Sequence, residues 1–577
     1  LTIAANGTMS CPRGNLDLEG DLTISATTVA DQWIHNSGKV RYVAGAGATW
    51  RPKNATFNNI DLATSTGHDL NLNQSITILG KLDLTGSTDY WIVNPVGAGT
   101  DAGTPTDVTM TMGSSTASGT IESNDADRFR LNTHSVGKCI IQGASSLFPC
   151  NVTGNDWKWD YGSGAAGTEL ANMNFQVAVI TDTGESNTAK LTLTGDCEFD
   201  AFTVSSGDTL DFNGQRAEFG ALFKNSGTID CDGALIYGNQ VNIDGSTTNT
   251  SNAAIINNTA GFNDFSDGQW KWMGTNFGTG SATESGSFSN TAAKRVCMSG
   301  TIAPNDNTTV GDMVIATGAT YTAGSYTTTV AGDFTTSGGL IGKSALNLTG
   351  SEEVTGTDNL DEVATSNRVT VEAWFKATTD ANYRAIFSRG TSWATGNIYM
   401  YMNSDGNIQF SLNDLGATVT STTSGLADGK WHHAAGTYDQ TNLKLYIDGK
   451  LEASAAYTNT LNTQTNGFKI GDRNGDNWQG QMGRVSVWDA ALTEAQIREM
   501  LFYDFATADS EATIPDANCI GWWQFDEGTG TAVADSSTNN ADGTLNSAAW
   551  AAGGTFTRDT STLVMSKSGT QTITSLS

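Results

Sequence analysis

Leu443-Lys-Leu-Tyr-Ile447-Asp448-Gly449 is the stretch from which the C-terminal half can be read. Leu443, Leu445 and Ile447 recur at every second residue, which sets them on one face of a half-buried strand. Asp448-Gly449 then offers the residue pair that a tight hairpin turn demands. Asp405-Gly406 does the same ahead of Ile408-Gln-Phe410. Further along, Thr493-Glu-Ala-Gln496 is a capping box, so one helix is expected over about 493–503, docked through Leu492, Ile497, Met500 and Leu501. Elsewhere, short β-branched and aromatic runs broken by Gly, Asn, Asp and Ser predict an all-β chain.

Upstream, four segments share alternating residues followed by Gly, any residue, and Leu or Phe. They are Leu16-Asp-Leu-Glu-Gly20-Asp-Leu22, Ile76-Thr-Ile-Leu-Gly80-Lys-Leu82, Ala217-Glu-Phe-Gly220-Ala-Leu222 and Thr328-Thr-Val-Ala-Gly332-Asp-Phe334. Each reads as short strands with a bend at the glycine. Trp157-Lys-Trp159 recurs as Trp270-Lys-Trp272, which suggests a duplicated β unit. Repeated units of this kind predict a β-solenoid or a row of β-sandwich units. The expected division is a repeat unit at 1–95, a β-rich connection at 96–155, two further repeat units at 156–340, an inserted jelly roll at 341–553, and the start of another repeat at 554–577. Leu1 is not an initiator Met, and the chain is expected to be part of a longer or processed protein.

Composition narrows the function classes. The 577 residues suffice for several cores, and 15 Trp, 22 Phe and 13 Tyr need burial, so the chain is not disordered. A formal charge of −30 with no basic stripe argues against nucleic acid as a partner. No apolar run reaches membrane-spanning length, so membrane insertion through a helix is not expected. Cys11, Cys139, Cys150, Cys197, Cys231, Cys297 and Cys519 are sparse and odd in number, which does not make a disulfide framework. Most sit in strand-like runs as small hydrophobes, a pattern that suits assembly in a reducing cytoplasm.

Residues 341–553 resemble a laminin-G-like, concanavalin-A-like lectin/glucanase jelly roll. The resemblance is carried, in family order, by Val369-Thr-Val-Glu-Ala-Trp374-Phe375, Ala385-Ile-Phe-Ser-Arg-Gly390, Gly429-Lys-Trp-His-His433, the 443–449 hairpin, Ile470-Gly-Asp472, Gly480-Gln-Met482, Val485-Ser-Val-Trp488-Asp489 and Gly521-Trp-Trp-Gln-Phe-Asp-Glu-Gly528. It implies a structural Ca²⁺ held by Asp526, Glu527 and Asp535. Two departures from the family pattern are visible: Gly483-Arg484 where an acidic pair is usual, and Gly350-Ser-Glu-Glu-Val354 at the opening.

For ligand contact, Trp393 and Trp478 lie in polar loops, where an exposed aromatic face with nearby charges and amides suits glycan recognition. Arg389, Asp472, Arg473 and Asn477 complete this expected loop rim. Trp374, Trp431 and Trp488 alternate within strands and read as core. No Glu-x-Asp-x-Glu strand of the glycan-cleaving relatives occurs in the jelly roll. Asp196, Glu198 and Asp200 share one face of a repeat strand and read as solvated; His432 and His433 have no nearby nucleophile, and the resemblance assigns one of them to packing beside Trp431. No catalytic residue is therefore expected. The expectation is a structural, adhesive surface appendage: a phage fibre or virion-surface protein whose jelly roll contacts a cell-surface glycan or a neighbouring structural protein. A secreted bacterial adhesin or matrix protein and a glycan-hydrolase accessory module are the alternatives. The expected location is a virion surface or the extracellular space, and a homo-oligomer is compatible with either.

Overall fold

The computed structural model describes residues 1–575 apart from segments between elements, the longest being 94–106, 159–167, 182–189, 275–292 and 504–512; Trp393 falls in another, 391–396. The fold class is as the sequence predicts. The chain is nearly all β, with 4% helix, and combines a β-solenoid of about eight turns with a jelly-roll sandwich. It divides into two compact units, residues 1–256 with 261–269, and residues 257–260 with 270–577.

The first unit is built from parallel strands stacked coil upon coil. One file runs through Val40, Ile60, Leu82, Ile121, Val152, Phe175, Phe199 and Phe219, each paired in register with the next. All of these side chains are buried. Phe199 stacks on Phe175 at 5.2 Å and on Phe219 at 5.4 Å, so like side chains pack on like across coils. The recurrent glycine has a steric cause. A Cβ at Gly80 would lie 2.3 Å from Asn59 Oδ1, which accepts the Lys81 N–H at 2.7 Å. The same staple recurs where Arg216 N–H donates to Asp196 Oδ1 at 3.1 Å and Thr49 N–H to Asp21 Oδ1 at 2.8 Å. Part of the Asp and Asn content therefore satisfies backbone donors at the corners between coils. Trp157-Lys158 forms a strand, whereas Trp159 and Trp270 lie outside the described residues.

In the second unit the strands Thr320–Thr322, Thr327–Val330 and Phe334–Thr336 pair in parallel with Thr555–Thr557, Thr562–Met565 and Ile573–Ser575. The intervening chain leaves and returns at one place: Leu346 lies opposite Trp550, and Asn347 N–H donates to Ala549 O at 2.8 Å.

This intervening chain forms two antiparallel sheets. A seven-stranded sheet runs in the order Leu346–Thr349, Gln479–Trp488, Val369–Ala377, Trp431–Tyr438, Asn442–Ile447, Lys450–Ala456, with Cys519–Trp523 also on Gln479–Trp488. An eight-stranded sheet runs Ala417–Thr420, Ile408–Leu412, Ile398–Met402, Arg384–Arg389, Phe468–Ile470, Val354–Gly356, Gly543–Leu545, Ala532–Val533. Val371, Phe375, Ile398, Met400, Phe410, Leu443, Leu445, Ile470 and Trp523 are among the residues that fill the core between them. The hairpin at Asp448-Gly449 has φ of 48° and 75°, the two positive values of a type I′ turn. Helix α2, Glu494–Met500, starts at Thr493 with both bonds of the capping box. Leu492, Ile497 and Met500 pack with Trp488 and Trp522 on the outside of the seven-stranded sheet. A short helix, α1 at Glu362–Ser366, was not expected from the sequence.

Candidate functional site

The outward face of the eight-stranded sheet carries two polar and aromatic rows. Alternation sends Ile398, Met400 and Met402 into the core between the sheets, which turns Tyr399 and Tyr401 to the opposite side of the sheet, where they pack with Ala385 and are themselves buried, 1% and 4% exposed. Register then aligns Ala385, Tyr401, Gln409 and Thr420 in one row, and Lys469, Ser388, Tyr399, Ser411 and Thr418 in the other. Tyr383 stands beside the first row, 49% exposed, with its ring 5.8 Å from that of Tyr401.

Arg473 lies across both rows. Its guanidinium is 5.0 Å from the Tyr399 ring and 4.8 Å from the Tyr401 ring, and Nη2 reaches Asp476 Oδ2 at 3.1 Å. Burial raises the Tyr401 hydroxyl above its usual pKa, against the hydrogen bond with Ser411 and the nearby Arg473 charge. It therefore stays a neutral donor and acceptor. Asn397 Nδ2 donates to the Tyr399 hydroxyl. Exposed Tyr383 with half-buried Gln409 and exposed Thr418 and Thr420 gives an aromatic face beside hydroxyls and an amide. Such a surface can stack on the apolar face of a sugar ring or hold a peptide through polar contacts; among its described residues there is no nucleophile–base pair.

Several residues of the expected rim are placed elsewhere. Trp478 is fully buried in the sandwich core, edge-on to Phe375 at 5.6 Å, and its backbone N–H donates to Gly471 O at 2.8 Å, which folds the polar loop back over the core. Arg389 is also fully buried. It donates to Asn359 O at 2.6 Å, Asn462 O at 3.0 Å and Asp361 Oδ1 at 2.5 Å, closing one end of the sandwich. Neither can meet a ligand. Asp472 is buried, accepting from Lys469 Nζ at 2.7 Å and Gly475 N–H at 2.8 Å. Asn477 is half-buried, and its carbonyl accepts from Arg384 Nη1 at 3.0 Å. Arg473 alone of these lies over the Tyr399 and Tyr401 rings, itself 8% exposed, and Trp393 lies outside the described residues. Tyr383, Tyr399 and Tyr401 went unread, although Ile398-Tyr-Met-Tyr-Met402 carries a period-two signal that places both tyrosines on one side.

Two of the three expected calcium ligands, Asp535 and Glu527, accept hydrogen bonds within their own loops. Asp535 already accepts from Trp522 N–H at 2.7 Å, Ser537 N–H at 2.8 Å, Ser537 Oγ at 2.6 Å and Ala541 N–H at 2.7 Å. Those four donors occupy both oxygens and make Asp535 a staple of its own loop. Glu527 Oε1 accepts the Ala534 N–H at 2.8 Å. Among the described residues, no group of three His, Cys, Asp or Glu converges as a metal site.

His432 and His433 are internal ties. His432 Nδ1 is 2.9 Å from Asp448 Oδ2, and Nε2 is 3.2 Å from Asp428 Oδ1. Burial opposes charge on this ring, but the two carboxylates outweigh it and raise its pKa to about 9. His433 Nε2 is 2.8 Å from Glu372 Oε2 in the interior. Asp196 and Glu198 are half-buried and Asp200 exposed, between the inward Cys197 and Phe199. Six cysteines are described, all buried and free, and burial raises the Cys139 thiol to about 12.

Residues 348–498 match the family model for the concanavalin A-like lectin/glucanases superfamily, of laminin-G type. Pentraxin-related protein PTX3 of Mus musculus is 27% identical over 164 residues, which cover 26% of this chain and 41% of that protein. The chain thus spans less than half the length of that relative. Among solved structures, a Bacteroides ovatus protein described as carbohydrate-binding is 21% identical, over 35% of this chain and 58% of that one, with a TM-score of 0.29. The CBM40 module of the Ruminococcus gnavus IT-sialidase, solved with α2,3-sialyllactose, is 17% identical over 27% of this chain and 97% of its own, with a TM-score of 0.23. Among the described residues, no helix is long and apolar enough to cross a membrane.

Proposed function

We propose that this chain is a structural and adhesive surface protein whose jelly-roll module binds a glycan or a protein and cleaves nothing. The carrying observation is the exposed Tyr383 ring, set beside the buried Tyr401 and Tyr399 rings that Arg473 covers, next to exposed Thr418 and Thr420. The concanavalin A-like family match over 348–498 supports a binding module. Display as a phage fibre or other virion-surface element, or in the extracellular space, fits the parallel solenoid, the acidic surface and the buried free thiols. The test is a glycan and surface-protein array probed with the intact chain, followed by prolonged incubation with each ligand found. Saturable binding without release of sugar is expected. Time-dependent release of sugar, or no ligand on either array, overturns the reading.

A further inference from the structure

The outer face of the seven-stranded sheet is roofed along only part of its length. Helix α2, Tyr503 and Ile514 cover Trp488 and Trp522. At the other end, Asn347, Gln481 and Lys376 stand opposite one another across three strands. With Thr349, Thr378 and Gln479 they line an open groove of about 400 Å³. Gly480 forms its floor at φ 135°, where a Cβ would lie 2.1 Å from Lys376 O, so no other residue lets the strands approach as they do.

Two groups in this groove are chemically open. Gln481 Oε1 is buried and accepts no hydrogen bond. Asp428 pairs with Lys430 and His432, and Lys376 enters no ion pair among the described residues. A buried acceptor left unpaired is costly, and a ligand hydroxyl would relieve it. An ammonium flanked by amides and hydroxyls selects a polyhydroxylated ligand that also carries a carboxylate.

We propose that this groove is a second binding site, for an acidic sugar, with the carboxylate against Lys376 Nζ and hydroxyls against Gln481 Oε1, Asn347 and Thr378. It goes beyond the tyrosine face, which lies on the other sheet, and either site can exist without the other.

The test is a ligand-observed NMR titration of the intact chain with glucuronate and, separately, with glucose. Glucuronate is expected to bind about fivefold more tightly, as one half-exposed ion pair allows. Lys376→Met removes that preference, and Gln481→Leu weakens both sugars. Thr378 is exposed, so Thr378→Trp fills the groove without touching the core and should abolish both. Tyr383→Ala should change neither. The proposal is overturned if glucuronate shows no saturable binding, if binding survives Thr378→Trp, or if Tyr383→Ala removes it.

Discussion

Arg484 and Glu372 form a fully buried ion pair, with Nε 2.9 Å from Oε1 and Nη2 3.1 Å from Oε2. The remaining valences are filled. Ser486 Oγ donates to Glu372 at 2.7 Å, and Arg484 donates to Tyr503 O and Met500 O, each at 2.6 Å. The guanidinium also lies 4.7 Å from the Trp522 ring. Arg484, where the resemblance called for an acidic residue, thus ties the end of α2 to the sheet beneath it. Removing one partner strands a buried charge, so Arg484→Met or Glu372→Gln should cost the module about 3–5 kcal/mol. The double substitution should cost less than the sum of the two. Denaturant unfolding of the three variants checks this; additive losses would show that the two residues are not coupled.

His432 gives the module a pH dependence of known sign. Its folded pKa of about 9 lies above the ordinary 6.5, so the stabilisation it contributes is whole below 6.5 and lost as pH rises from there to about 9. Glu372 runs the other way. Burial opposes its charge, but Arg484 and His433 hold it at about 2, so its contribution is present above 4.5 and lost as pH falls toward 2. Melting temperatures of wild type should decline between pH 6.5 and 9, and His432→Gln should flatten that limb.

Calcium should have little effect on the module through Asp535, whose oxygens are committed to four protein donors. A chelator is expected to leave the melting curve unchanged. Asp535→Asn should lower it equally with and without chelator, and a chelator-dependent shift that Asp535→Asn abolishes would restore the metal.

In the solenoid, Phe199→Ala opens the stack between Phe175 and Phe219 and should cost about 3–5 kcal/mol. Thermal unfolding followed by circular dichroism checks it; a change below about 1 kcal/mol would mean that the coils do not share one core.

What the sequence made legible is local. Alternation at Leu443, Leu445 and Ile447, the Asp448-Gly449 turn and the Thr493–Gln496 box each depend on neighbours in sequence, and each is present. Trp478 was misread for the opposite reason. Asp472 to Asn477 is polar, but the loop's direction is set by the Trp478–Gly471 bond and by Phe375, a hundred residues upstream. Arg389 likewise looks exposed until Asn359, Asp361 and Asn462 are brought around it. The tyrosine face depends on cross-strand register, which alternation alone does not fix.

The most direct test is the affinity of the intact chain for its array ligand before and after Tyr383→Ala, with melting temperature as the control. Tyr383 is exposed and outside the core, so its removal should leave the melting temperature unchanged. Binding reduced about tenfold or more, as expected for loss of an aromatic contact of roughly 1.4 kcal/mol, is the predicted result. Undiminished binding in Tyr383→Ala and in Arg473→Gln would contradict the assignment of the outward tyrosine face as the contact surface.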